Sequence, residues 1–162
     1  MNAAVPSEKD GLLRVQGFYP ESFDRILLDP PCSALGLRPK LCLDASLDLK
    51  KYALYQKAFV DQAVRLLKPG GIMTYSTCTI NAIENEQMVA HILGMCAEMR
   101  LMDVGVDLAG MCGPGLPGHG LNDTERNMVS RFDCVDHGSC MTGFFVAKLQ
   151  KIDHSSPHHR KR

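Results

Sequence analysis

The chain has 162 residues and a mass of 17.8 kDa, the size of one ordinary domain with a single core. At 45% hydrophobic and 22% charged it reads as globular rather than disordered; no apolar run approaches the ~20 residues of a membrane span, and Met1 to Gly11 lacks the apolar centre of a secretion signal. Eighteen basic residues balance eighteen acidic ones, which argues against nucleic-acid binding by bulk charge alone and leaves room for a local basic site. The tail Asp153 to Arg162 carries three basic residues and one acidic, so 15 basic face 17 acidic, a net −2, in residues 1–152. Seven cysteines without a CxxC pair or a secretion signal imply reduced thiols and a cytoplasmic location, with a nuclear one left open by the basic tail.

In chain order, residues 1–21 are weakly patterned. Phe23 to Asp29 is a short apolar run closed by Pro30 and Pro31, which suits a buried strand. A loop follows over Cys32 to Ser46. From Asp48 to Leu67, Tyr52, Phe59, Val60, Ala63, Leu66 and Leu67 fall on one helical face. Lys68-Pro69-Gly70-Gly71 then reads as a helix stop. Ile72 to Thr77 reads as a strand, Ala82 to Cys96 as a helix, and Leu101 to Val106 as a third strand. Gly110 to Gly120 reads as a loop and Gly143 to Leu149 as the last strand. Strands alternating with helices give an α/β class, in which ligands sit at the carboxyl ends of strands.

Two such ends carry chemistry: Asp29-Pro30-Pro31-Cys32-Ser33 and Ser76-Thr77-Cys78-Thr79. Adjacent strands lie about 4.8 Å apart, so the two thiols are expected to face one cleft. A free cysteine is usually a small buried hydrophobe. That reading weakens where one thiol stands beside an Asp and two prolines and the other among hydroxyls.

These motifs, together with Leu67-Lys68-Pro69-Gly70-Gly71, Glu84-Asn85-Glu86 and Gly143-Phe144-Phe145 in the same order, resemble the Nop/Sun (NSUN) family of RNA cytosine-5 methyltransferases. Phe23 through Arg38-Pro39 and the Arg131-Phe132-Asp133 run look most like its sixth paralogue, a tRNA methyltransferase. The resemblance implies a class I, Rossmann-like methyltransferase fold that uses S-adenosylmethionine and acts on RNA, with tRNA the expected substrate. It also implies roles. Cys78 is the nucleophile that adds to C6 of cytosine and activates C5 for methylation. Cys32 serves proton removal and product release. Asp29 accepts from the exocyclic amine of cytosine and, with Pro30, borders the cofactor. DNA cytosine-5 methyltransferases use a Pro-Cys thiol, which would point to Cys32. Amino-methyltransferases carry an aromatic residue where Cys32 stands. Thr77-Cys78 favours the RNA class.

Other features weigh less. Arg38 and Lys40 follow the Cys32 loop, where phosphate contact competes with a solvated loop charge. Glu84 and Glu86 read as dipole and capping support in the first turn of a helix. Gln56 reads as a satisfied core amide. Cys134, His137 and Cys140, with Cys112 and His119 nearby, do not have the spacing of a standard zinc finger, and no metal site is expected.

The family's glycine-rich turn, its ribose-binding acid and its catalytic lysine have no counterpart before Phe23. The expected organisation is therefore a lead-in over 1–21, the carboxyl-terminal half of a catalytic domain over 22–152, and a basic disordered tail over 153–162. The expectation is a truncated product or a fragment of a longer chain, ahead of a half that pairs with a separate amino-terminal half. Phe23 to Asp29 is then an exposed apolar edge, and cofactor binding by the chain alone is weak. The alternatives are a catalytically dead RNA-binding or interaction remnant, and a thiol–zinc module.

Overall fold

The structure is a computed structural model that describes residues 17–38, 48–105, 110–133 and 142–153. Expectations placed on Lys40, on Cys134, His137 and Cys140, on residues before Gly17 and on those beyond Asp153 lie outside the described residues.

Strand β1 (Phe23–Leu28) ends just before Asp29 and the two prolines, as expected, but none of its residues is fully buried, unlike the buried strand the apolar run suggested. Helix α1 (Leu49–Leu66) starts at Asp48, whose carboxylate accepts from the backbone N–H of Lys50 at 3.1 Å and Lys51 at 3.2 Å. Such a cap contributes about 1 kcal/mol. The buried stripe of α1 is Ala53, Gln56, Val60, Ala63 and Val64. Phe59, placed on the apolar face by spacing, is 44% exposed instead. The stripe is rotated because the amide of Gln56 has partners inside the protein and is drawn to its centre.

Strand β2 (Leu67–Thr77) follows α1 without a break. The expected stop at Lys68-Pro69-Gly70-Gly71 ends the helix, but as a bulge inside the strand rather than a separate turn. Phe23 lies opposite Leu67 while Arg25 lies opposite Ile72. Gly70 takes φ +78°, a conformation that glycine adopts without steric cost.

Helix α2 runs Glu86–Met95, four residues later than the expected start at Ala82. The preceding Asn85 does not cap it, because its side chain is used elsewhere: it accepts from Thr77 Oγ1 at 2.6 Å and donates to Thr79 O at 2.9 Å. Strand β3 is Met99–Met102, earlier and shorter than Leu101 to Val106. The short helix α3 (Asp123–Arg126), held by a capping box of Asn122 and Glu125, and strand β4 (Ser130–Phe132) carried too little pattern to be foreseen. Strand β5 is Phe144–Lys151.

The sheet order is β1-β2-β5-β3, with β4 also along β5. β1 and β2 are parallel and joined through α1; β5 runs antiparallel to β2, β3 and β4. Met73 and Tyr75 of β2, and Phe145, Ala147 and Leu149 of β5, are buried in one core with α1 and α2. Their alternates Ile72, Thr74, Val146 and Lys148 are only half-buried, so both long helices cover the same face. Among the described residues β1 is an outer strand, and Leu27 on it is 86% exposed. No described helix is long and apolar enough to cross a membrane.

Candidate active site

The parallel pairing of β1 with β2 sets Leu28 opposite Tyr75, and both chains leave the sheet at the same end. Cys32 and Cys78 follow a few residues later. Their sulfurs lie 3.3 Å apart, both half-buried and both free thiols. Burial, with the Cys78 thiol alongside, pushes Cys32 up to about 11 from 9.0, while the backbone amides of Ala34 and Cys78 pull the other way. Cys32 therefore keeps its proton at neutral pH.

The Cys32 loop is stitched down through backbone. Ala34 sits at φ +53°, a strained conformation for a residue with a side chain. Gly36 N donates to Cys78 O at 3.0 Å, and Gly143 N donates to Gly36 O at 2.7 Å. A Cβ on Gly36 would stand 2.2 Å from Gly143 O, and one on Gly143 would stand 2.4 Å from Ile80 Cγ2. Both positions therefore require glycine.

Beneath the thiols lies a buried polar cluster. Glu84 is fully buried in the turn before α2, not in the helix's first turn as expected. Its Oε2 accepts from Ser33 N at 2.9 Å and Gln56 Nε2 at 2.9 Å. Its Oε1 accepts from Ser33 Oγ at 2.5 Å and Asn81 Nδ2 at 3.0 Å. Gln56 also donates to Pro31 O at 3.1 Å, so it is the satisfied core amide expected of it. Tyr75 donates its hydroxyl to Glu84 O at 2.6 Å; burial first, then the charge of Glu84, raises its pKa and keeps it protonated.

Glu86 opens α2, but it too is buried and is not a solvent-facing dipole partner. It pairs with Arg131 of β4 at 3.0 Å, and its Oε1 also accepts from Leu116 N at 2.9 Å. Arg131 reaches on to Ile80 O in the loop after Cys78, which leaves its Nε without a partner among the described residues. Sequence reasoning missed Gly36 and Arg131 as parts of this site and misassigned both glutamates. The available signal was a run of three polar residues, Glu84 to Glu86, at the start of an otherwise apolar helix pattern.

Asp29 is exposed just past β1 and Pro30 is buried beside it. Arg38 is exposed, and its guanidinium donates to Leu35 O at 3.1 Å and Leu37 O at 2.9 Å, holding its own loop. No group of three or more metal-binding side chains occurs among the described residues. For a nucleoside cofactor the thiol-bearing strand ends offer an acceptor at Asp29 and the Pro30-Pro31 corner. Neither strand end is a glycine-rich turn, so these residues fit one border of a cofactor rather than its cradle.

The family described as 16S rRNA methyltransferase RsmB/F matches residues 6–150. The rRNA (cytosine-C(5))-methyltransferase NOP2C of Arabidopsis thaliana is 42% identical over 146 residues, covering 83% of this chain and 24% of that protein. The tRNA (cytosine(72)-C(5))-methyltransferase NSUN6 of Homo sapiens is 41% identical over 117 residues, covering 72% and 24%. The crystal structure of NSun6 from Pyrococcus horikoshii with SFG matches with a TM-score of 0.62 at 38% identity, over 78% of this chain and 29% of that one. The chain thus spans about a quarter of the length of these relatives.

Proposed function

The chain belongs to the RsmB/F methyltransferase family, and on that premise we propose that it is the thiol-bearing part of an enzyme that methylates C5 of a cytosine in RNA. Its relatives are RNA cytosine-C5 methyltransferases, and the family depends on S-adenosylmethionine, which supplies the methyl group. The observation that carries the reading is the 3.3 Å approach of Cys32 and Cys78 at the ends of two parallel strands.

The two thiols take different roles. Cys32 is pushed up to about 11 and keeps its proton at neutral pH, with the sulfur of Cys78 3.3 Å away. Cys78, the other thiol of the pair, is the nucleophile in this reading. Its sulfur bonds to C6 of cytosine, and the electron pair of the C5–C6 double bond moves to C5, ready for methylation. The C5 proton then passes to water, the double bond re-forms, and the Cys78 sulfur leaves as a thiolate that can take a proton from the neighbouring Cys32 thiol. Cys32, beside it, is placed to serve that second stage. Asp29, exposed at the mouth, accepts from the exocyclic amine, a contact open to cytosine and closed to uracil. Attack on C6 needs a base outside its stack. Arg38 stands in the adjoining loop as a phosphate contact, with Lys40 two residues on in sequence. The NSUN6 relatives name tRNA, so tRNA is the first substrate class to test; NOP2C names rRNA.

The outer strand β1, with Leu27 86% exposed on it, supports a further partner: the strands that complete the cofactor cradle, from the same or a separate chain.

Trapping tests the thiol assignment. RNA containing 5-azacytidine is expected to form a denaturation-resistant adduct with the wild-type chain and none with Cys78→Ala. With ordinary RNA, Cys32→Ala is expected to accumulate the adduct. Crosslinking by Cys78→Ala would overturn the assignment.

A further inference from the structure

We propose that Glu84 is a positioning residue for the two thiols, an inference that rests on the two-thiol reading above. Its side chain does not touch either sulfur. It acts through the residues immediately following them in sequence.

The hydrogen bonds have a fixed direction. A carboxylate accepts and does not donate, so the single hydroxyl proton of Ser33 is committed to Glu84 Oε1. Thr79 must then be the donor in its 2.8 Å bond to Ser33 Oγ. Thr79 Oγ1 in turn accepts from Asn81 N at 3.2 Å, and Asn81 Nδ2 returns to Glu84 at 3.0 Å. Ser33 follows Cys32 and Thr79 follows Cys78. One buried carboxylate therefore closes a directed ring that joins the loop of one thiol to the loop of the other. Gln56 extends it to Pro31 O, on the other side of Cys32.

The choice of glutamate follows from the donor set. Four donors converge on two oxygens, and charge-assisted bonds of this kind are the stronger class. Glutamine at position 84 would replace one oxygen by an NH2 that faces donors, and at least one loop must then let go. Burying a charge is costly unless it is fully bonded, and here every bond bears on the thiol geometry.

A trivalent arsenical tests this without cofactor or RNA. Phenylarsine oxide condenses with two neighbouring thiols, forming two As–S bonds and releasing water. Peptide mapping by mass spectrometry then shows which cysteines are bridged. The wild-type chain is expected to give a Cys32–Cys78 bridge. In Glu84→Gln, the affinity for that bridge is expected to fall about tenfold or more, the scale of one lost charge-assisted hydrogen bond. Lys151→Met breaks the bonds of a buried lysine to Glu21 and Leu67 O at the far end of β5 and controls for general destabilisation; its bridging is expected to match wild type. Wild-type bridging in a folded Glu84→Gln would overturn the proposal, as would an equal loss in Lys151→Met. If Glu84→Gln does not fold, Ser33→Ala decides: it removes the shared hydroxyl, and unchanged bridging there refutes the role. Adduct trapping is scored separately. Intact bridging without any RNA adduct counts against the methyltransferase reading alone; an intact adduct with unchanged bridging in Glu84→Gln counts against Glu84 alone.

Discussion

The Sγ of Cys32 lies 3.3 Å from the Sγ of Cys78, although 46 residues separate them in the chain. Parallel pairing of β1 with β2 creates this approach, because it sends both strands out of the sheet at one end. Cys32 is held protonated by burial, and this has a measurable pH signature.

Alkylation of Cys32, followed by peptide mapping, is expected to be slow at neutral pH and to rise only well above 9.0, towards a midpoint of about 11. The linkage sign follows. The unfolded chain releases this proton first, so the contribution of Cys32 to stability is undiminished below 9.0 and is lost as pH climbs towards 11. Denaturant melts across that interval should show wild type losing stability faster than Cys32→Ala. Rapid alkylation of Cys32 at neutral pH would refute the protonated assignment.

The buried pair of Glu86 and Arg131 is expected to be costly to break. Arg131→Ala strands a carboxylate that is fully buried, and denaturant unfolding is expected to show a loss of about 3–5 kcal/mol. Removing both charges with Glu86→Gln and Arg131→Met should cost less than Arg131→Ala alone, since no charge is left unpaired. A double variant as unstable as the single one would contradict this.

Gly36→Ala is expected to disrupt the site more than its one carbon suggests. The added Cβ would meet two carbonyl oxygens, Gly143 O at 2.2 Å and Cys78 O at 2.8 Å. Backbone cannot swing aside as a side chain can, so a destabilisation of about 1–3 kcal/mol is expected, together with weaker arsenical bridging of the thiols. Thermal melts and bridging in the same sample check it, and a neutral outcome in both would show that the loop has room.

The edge of β1 is expected to accept a strand. Supplying the upstream part of a longer relative's catalytic domain should give a complex in size-exclusion chromatography and raise the affinity for S-adenosylmethionine in calorimetry. Leu27→Lys places a charge on that edge and is expected to weaken association without affecting the fold of the chain alone, because Leu27 is 86% exposed. Unchanged association would place the contact elsewhere.

Much was legible in the linear sequence. The two cysteines declared themselves by position, each directly after a β-branched or apolar run closed by a proline or a hydroxyl cluster. β1, α1 and β5 were readable because period and punctuation agreed. The start of α2 was not, since Asn85 looks like an ordinary helix residue until Thr77 and Thr79 engage its side chain. Phe59 was assigned to the core by spacing, which counts apolar residues and cannot see that a buried Gln56 turns the helix.

Glu84 marks the boundary between the two kinds of information. Local chemistry assigns a glutamate near a helix start to solvent and the helix dipole, because those partners lie within a few residues. Besides the nearby Asn81, the partners it has in the structure are Ser33 and Gln56, 51 and 28 residues away. The sequence by itself singled out the candidate groups, two thiols and an aspartate, and the strands that present them. Only the tertiary structure decided their spacing, the buried carboxylate that ties their loops, and the proton held on Cys32. Distances and burial arise from contacts between segments far apart in the chain, and no local pattern encodes those.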